Sequence, residues 1–123
     1  MAVWAPGGWT VRCAPSELRP LLDADRRLLE RRFGHRLLDL RMFGSRARGD
    51  ADPESDVDVA VVVAGLTDGE RAEAIDLALE AWRTVGTDAP LIHPLAWSES
   101  QAAERRAAER RIALDIEREG IPV

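Results

Sequence analysis

The sequence predicts an α+β fold in which helices flank a small mixed β-sheet. The valine-rich segment 56–63 alternates between two sides, as a strand does. Capping signals open two helical segments after it, and the elements follow the order helix, strand, strand, helix, strand, helix. With 123 residues, 46% of them hydrophobic, the chain is expected to form one domain over residues 1–123.

The first half of the chain is predicted to hold one helix and two strands. The helix begins near Pro20, since proline favours the first turn, and it ends at Gly34. Residues 36–43 form a strand, and residues 44–55 form a loop with one helical turn after Gly44.

The next strand, residues 56–63, has the clearest pattern in the chain. One face carries only valines, at positions 57, 59, 61 and 63. The other face carries Asp56, Asp58, Ala60 and Val62. Because side chains alternate along a strand, the two aspartates are expected to lie side by side at its start.

The second half begins with a capping box at residues 67–70. It opens a helix that ends at Gly86 and has an apolar stripe of Ile75, Leu79 and Trp82. Residues 89–97 form a third strand, in which Pro90 and Pro94 mark an edge or a break.

A second capping box at residues 98–101 opens the last predicted helix. It runs to about Glu119, with Ala108, Ile112 and Ile116 facing inward. Gly120 and Pro122 stop it.

The composition bears on nucleic-acid binding, on disulfide bonds and on membrane insertion. The net charge is −5 and no basic block is present, so direct nucleic-acid binding is not expected. Cys13 has no second cysteine to pair with, which fits a cytoplasmic protein. No apolar run approaches membrane-spanning length, and residues 1–15 are expected to form a loose N-terminal arm rather than a signal peptide.

The aspartate pair indicates a site for a hard divalent cation. Two carboxylates this close repel each other unless a positive charge neutralises them. Mg²⁺ is commonly held by one or two carboxylates together with water and substrate phosphates. Surface acids at an exposed strand end are the alternative for Asp56 and Asp58 taken alone.

The Gly44–Ser45 pair, eleven residues earlier, favours the functional interpretation. A residue without Cβ lets backbone N–H groups approach a phosphate, and Ser45 adds a hydroxyl donor. A Walker A loop is excluded, because Asp50 and Ala51 stand where Lys and Ser or Thr are required. A calcium loop starting at Asp50 fails too, since it would need Gly at 55 and Glu at 61.

The spacing from Ser45 through ten residues to Asp56-Val57-Asp58 resembles the G-S-x10-D-x-D signature of the DNA polymerase β-like nucleotidyltransferase superfamily. The segment GSRARGDADPESDVDVAVVV and the C-terminal segment RRIALDIEREGIPV resemble those of its minimal, stand-alone branch. Those MNT-domain proteins are often encoded beside a HEPN-domain partner as the antitoxin of a toxin–antitoxin pair. The resemblance covers most of the chain from about Arg36 and implies the polymerase β-like fold.

The resemblance also implies roles for individual residues. Gly44 and Ser45 would hold the triphosphate of ATP, and Asp56 and Asp58 would bind Mg²⁺ while AMP is transferred and pyrophosphate leaves. The resemblance leaves open whether Arg46 and Arg48 steady the triphosphate or face solvent.

Active members of the family carry a third carboxylate on a later strand. His93 falls at that position here, where it would be a base or the mark of a degenerate site. Asp88, at the start of that strand, is a weak substitute.

Three functions follow from the resemblance. The first is transfer of AMP to a hydroxyl, with tyrosine expected, of a HEPN toxin. The second is an antitoxin that neutralises its partner by binding alone. The third is nucleotidyl transfer to a small molecule.

Overall fold

A computed structural model of the protein describes residues 15–52, 54–86, 88–108 and 110–123. Nearly all of the predicted N-terminal arm, with Cys13, lies outside these residues. The helices are α1 Arg19–Phe33, α2 Ser45–Arg48, α3 Asp68–Val85, α4 Glu99–Ala107 and α5 Arg111–Glu119. The strands are β1 Leu37–Phe43, β2 Val57–Val63, β3 Ile92–Trp97 and β4 Ile121–Pro122. Within this described part, no helix has the length and apolar character needed to cross a membrane.

The four strands form one mixed sheet in the order β3-β2-β1-β4. β1 runs antiparallel to β2 and β4, whereas β2 and β3 are parallel and are joined through α3. The predicted α+β class is confirmed. Pro94 lies in the edge strand β3, where a missing backbone donor costs no pairing inside the sheet. The two-residue strand β4 was not predicted.

Helices cover both faces of the sheet. The valine face of β2 belongs to the larger core, together with the buried side of α1 and the buried alanines of α3. The opposite face buries Ala60 and Val62 against Trp97 and the small or branched side chains Ala102, Ala113 and Ile116. β2 is therefore buried on both faces along most of its length, and only Asp58 interrupts the buried pattern within the strand.

The predicted apolar stripe of α3 was wrong at Ile75 and Leu79, whereas Trp82 is half-buried and packs against the larger core. Ile75 is 52% exposed and Leu79 is 38% exposed, and the fully buried positions are Ala74, Ala78 and Ala81. α3 packs along α1 and β3, and alanines permit a closer approach than larger side chains would.

The predicted single C-terminal helix is two helices. The chain leaves the helix after Ala107, and Arg110 adopts an extended conformation before α5 begins. α4 contacts β2 and β3, whereas α5 contacts β1, so the break redirects the chain across the sheet. Ala108 and Ile112 are exposed as a result, and only Ile116 of the three predicted inward residues is buried.

Replacing Thr67 by alanine should lower the free energy of unfolding by about 1 kcal/mol. The Thr67 hydroxyl accepts from the backbone N–H of Glu70 at 3.2 Å, and the Glu70 carboxylate accepts from that of Thr67 at 3.1 Å. Urea unfolding would measure the loss. Thr84→Ala is the matched control, since that hydroxyl only donates to Glu80 near the end of the same helix. Equal effects of both changes would contradict a capping role.

Candidate active site

Sheet register brings three side chains into one row. Phe43 of β1 lies opposite Asp58 of β2, and Asp58 lies opposite His93 of β3. Directly paired residues share a face of the sheet, so Asp58 is flanked on both sides. This row lies at the end of β1 and the beginning of β2, where the chain passes through Gly44 and the α2 turn.

Gly44 is required by both its conformation and its surroundings. Its φ of 77° lies in the region that residues with a side chain rarely adopt. A Cβ added there would lie 2.5 Å from Oδ2 of Asp58. The half-buried Asp58 carboxylate thus lies against the backbone that opens α2, while Asp56 is exposed one residue before β2 begins.

The single turn of α2 confirms the helical turn predicted after Gly44. The Gly44 carbonyl accepts from the N–H groups of Ala47 and Arg48, each at 3.0 Å. The Ser45 carbonyl accepts from Gly49 and Asp50 at 2.9 and 3.1 Å. The Gly-Ser backbone and the Asp58 carboxylate therefore belong to one continuous local structure.

Both arginines of α2 contact protein groups. Arg46 donates to the Ser55 carbonyl at 2.8 Å through Nη2 and at 3.3 Å through Nε. Arg48 donates to Glu119 at 3.1 Å and to Asp50 at 3.2 Å. The carboxylates of Glu119 and Asp50, in that order, raise the pKa of the Arg48 guanidinium. The predicted role of Arg46 or Arg48 at the triphosphate stays a prediction.

His93 faces the aspartate pair at Asp58. Its Nδ1 lies 3.1 Å from Asp58 Oδ1, and its side chain is 68% exposed. A histidine here contributes a nitrogen rather than a negatively charged oxygen. Asp88 is exposed in the segment before β3. In the described ranges, no group of three or more His, Cys, Asp or Glu side chains is arranged to hold a metal ion.

The sequence analysis did not single out two charged residues, one that contacts the α2 turn and one that is buried on α1. Glu119, at the end of α5, reaches Arg48, and only the folded sheet brings the two together. Asp25 is 1% exposed, and burial raises its pKa to about 7. The sequence could have indicated that Asp25 is buried. Leu22 and Leu29 lie on the inward face of α1, and helical spacing places position 25 or 26 on that same face.

A mixed sheet flanked by helices, with a Gly-Ser turn against a strand aspartate and a second aspartate just before that strand, is the arrangement of nucleotidyltransferases of the polymerase β-like class. The family model described as a nucleotidyltransferase domain matches residues 26–114, and the chain belongs to that family. The resemblance predicted from the sequence is confirmed at this level.

Two solved structures are similar to this chain. One is a crystal structure of a toxin–antitoxin with AMP-PNP, at 21% identity and a TM-score of 0.46, covering 76% of this chain and 95% of that one. The other is a candidate nucleotidyltransferase from Sulfolobus solfataricus, at 17% identity and a TM-score of 0.40, covering 77% and 85%. No curated protein matched the sequence.

Proposed function

We propose that this nucleotidyltransferase domain transfers AMP from ATP to a hydroxyl of a partner HEPN-domain toxin and so silences it. Tyrosine is the expected acceptor. One observation carries the transfer chemistry: the Asp58 carboxylate lies directly against Gly44, at the point where β1 passes into the Ser45 turn. Carboxylate and phosphate-binding backbone thereby occupy the same corner of the sheet.

The residues present fit a magnesium ion bound with a triphosphate. Asp56 and Asp58 supply two carboxylates, and the absence of a Cβ at Gly44 lets the Asp58 carboxylate lie against the backbone that opens α2. Mg²⁺ typically takes its other ligands from water and substrate phosphates. When bound, the ion would neutralise charge on the phosphates during displacement. Gly44 and Ser45 would hold the triphosphate. The acceptor hydroxyl would form a bond from its oxygen to the α-phosphorus and release its proton to solvent, while the bond between the α-phosphorus and the bridging oxygen breaks and pyrophosphate leaves.

The choice of a protein acceptor rests on the sequence. The motif GSRARGDADPESDVDVAVVV and the tail RRIALDIEREGIPV resemble the stand-alone MNT branch, whose members pair with HEPN toxins. An acidic chain with no basic block gives no support for a nucleic-acid acceptor.

The test is a mass measurement on the partner. The protein is incubated with ATP, Mg²⁺ and the protein encoded by the neighbouring gene, and the intact mass of that partner is measured. We expect a gain of one AMP group that requires Mg²⁺ and disappears with Asp56→Asn. An unchanged partner mass, or an equal gain with the variant, would refute transfer by this site.

A second function is favoured by His93. Its ring nitrogen lies within hydrogen-bond distance of an Asp58 oxygen that a metal would need. In this alternative the protein neutralises its partner by binding, with no transfer. Asp56→Asn and Asp58→Asn should then still protect cells from the toxin. Loss of protection by variants that still fold and bind the toxin would exclude neutralisation by binding alone.

A further inference from the structure

The α2 turn is too short to hold its own conformation. Four residues form one turn, and a single helical turn has little stability without tertiary contacts. Gly44 and Gly49 flank it with φ values of 77° and 82°, so a residue of wide conformational range lies at each end. Whatever fixes this turn also fixes the backbone that faces Asp58.

The contacts that connect the turn to the rest of the fold include three between described residues. Ala47 is buried in the larger core, and Arg46 donates to the Ser55 carbonyl, just before Asp56. The third contact is the ion pair between Arg48 and Glu119, with 3.1 Å between Nη1 and Oε2. It joins residues 71 positions apart and is the contact that reaches the C-terminal segment.

The residues that follow Glu119 are bound to the sheet. Gly120, the next residue, has no room for a Cβ beside Arg41 and the end of α5. Ile121 then pairs with Met42 of β1, and the Val123 N–H donates to the Leu40 carbonyl at 3.0 Å. The C-terminal segment is thus bonded to the strand that leads into Gly44.

We propose that Glu119 is a positioning residue for the nucleotide site, holding the α2 turn in place through Arg48. The inference rests on the proposed use of this turn for the triphosphate. Glu119 touches no substrate in this arrangement. Glu119 lies at the end of α5, outside the signature motif, and in this role Arg48 connects the α2 turn to α5 and does not bind phosphate.

The experiment compares Glu119→Ala with Asp50→Ala in the full chain. Asp50→Ala is the matched control, because it removes the same negative charge from another ion pair of Arg48. Asp50 lies only two residues from Arg48, so its loss does not disconnect the turn from the C-terminal segment. Two quantities are measured: amide hydrogen exchange in the α2 turn, and the affinity for ATP with Mg²⁺. For Glu119→Ala we expect about fivefold faster exchange and about fivefold weaker ATP binding, about 1 kcal/mol.

Further readouts separate positioning from a general loss of stability. The unfolding midpoint and the turnover at saturating ATP should stay near wild type, while Glu119→Gln, which keeps an acceptor oxygen, should fall between Glu119→Ala and wild type. If Glu119→Ala matches Asp50→Ala in exchange at the turn, the proposal is overturned. If the wild-type protein binds no ATP, the proposed function fails instead, and hydrogen exchange alone still decides whether Glu119 holds the turn.

Discussion

Replacing Gly44 by alanine should reduce nucleotidyl transfer by about 100-fold or more. The new Cβ would lie 2.5 Å from Asp58 Oδ2, so the carboxylate or the turn must move. A displacement of about 1 Å at a reacting centre is enough for a loss of this size. With φ 77° and ψ −156°, Gly44 lies in a backbone region that is essentially restricted to glycine, so any side chain there adds about 1–3 kcal/mol of strain. Steady-state transfer rates and urea unfolding would measure the two effects.

Gly49→Ala separates the contact from the strain. Gly49 has a similar φ of 82°, but a Cβ there would meet nothing within 4 Å. Gly49→Ala should lose about 1–2 kcal/mol of stability from its left-handed conformation alone and keep transfer, whereas Gly44→Ala should lose more stability together with transfer and Mg²⁺-dependent ATP binding. Equal activity in the two variants would show that the close approach of Gly44 to Asp58 does not matter for the chemistry.

The part of the site whose residues lie close together in the sequence was predictable. Residues 44–63 carry the glycine, the turn and the alternating strand on which Asp58 lies, and all three follow from local rules of backbone conformation and strand alternation. The Thr67 capping box was predictable for the same reason, because its two partners are three residues apart.

Contacts between distant segments were not predictable in this way. The hydrogen bond between His93 and Asp58 depends on the register of β3 against β2, and the ion pair between Arg48 and Glu119 depends on where α5 ends. The alanine face of α3 could not be recognised from the size of its apolar side chains, because the larger residues Ile75 and Leu79 are exposed. Close helix packing selected the small residues Ala74, Ala78 and Ala81 instead.

Asp25→Asn should change how stability depends on pH more than any other substitution on α1. Asp25 is buried in the core-facing side of the helix, and its Oδ1 has no hydrogen-bond partner among the described residues. Burial raises the pKa of this carboxyl from 3.8 to about 7. The folded protein therefore keeps its proton over a range of pH in which the unfolded chain has already lost it.

The direction of the effect follows from that order of pKa values. Below about pH 4, Asp25 is neutral in both the folded and the unfolded state, and the free energy of unfolding is at its highest with respect to this group. As the pH rises toward 7, the unfolded chain ionises and the folded one does not, so the protein loses stability. The difference of about three pH units corresponds to about 4 kcal/mol, a large share of the 5–15 kcal/mol typical of a domain.

An asparagine at position 25 does not titrate, so the variant should lack this loss. Its free energy of unfolding relative to wild type should rise by about 4 kcal/mol between pH 4 and pH 8, measured by urea unfolding at each pH. Other shifted groups, such as Glu70 with its pKa lowered to about 2 by Arg36, are common to both proteins and cancel. Asp23→Asn is the control, because Asp23 lies on the same helix, is partly exposed and is paired with Arg26. If the free energy of unfolding depended on pH in the same way for wild type and Asp25→Asn, the Asp25 carboxyl would ionise in the folded protein with an unshifted pKa. The buried side of α1 would then have to admit water.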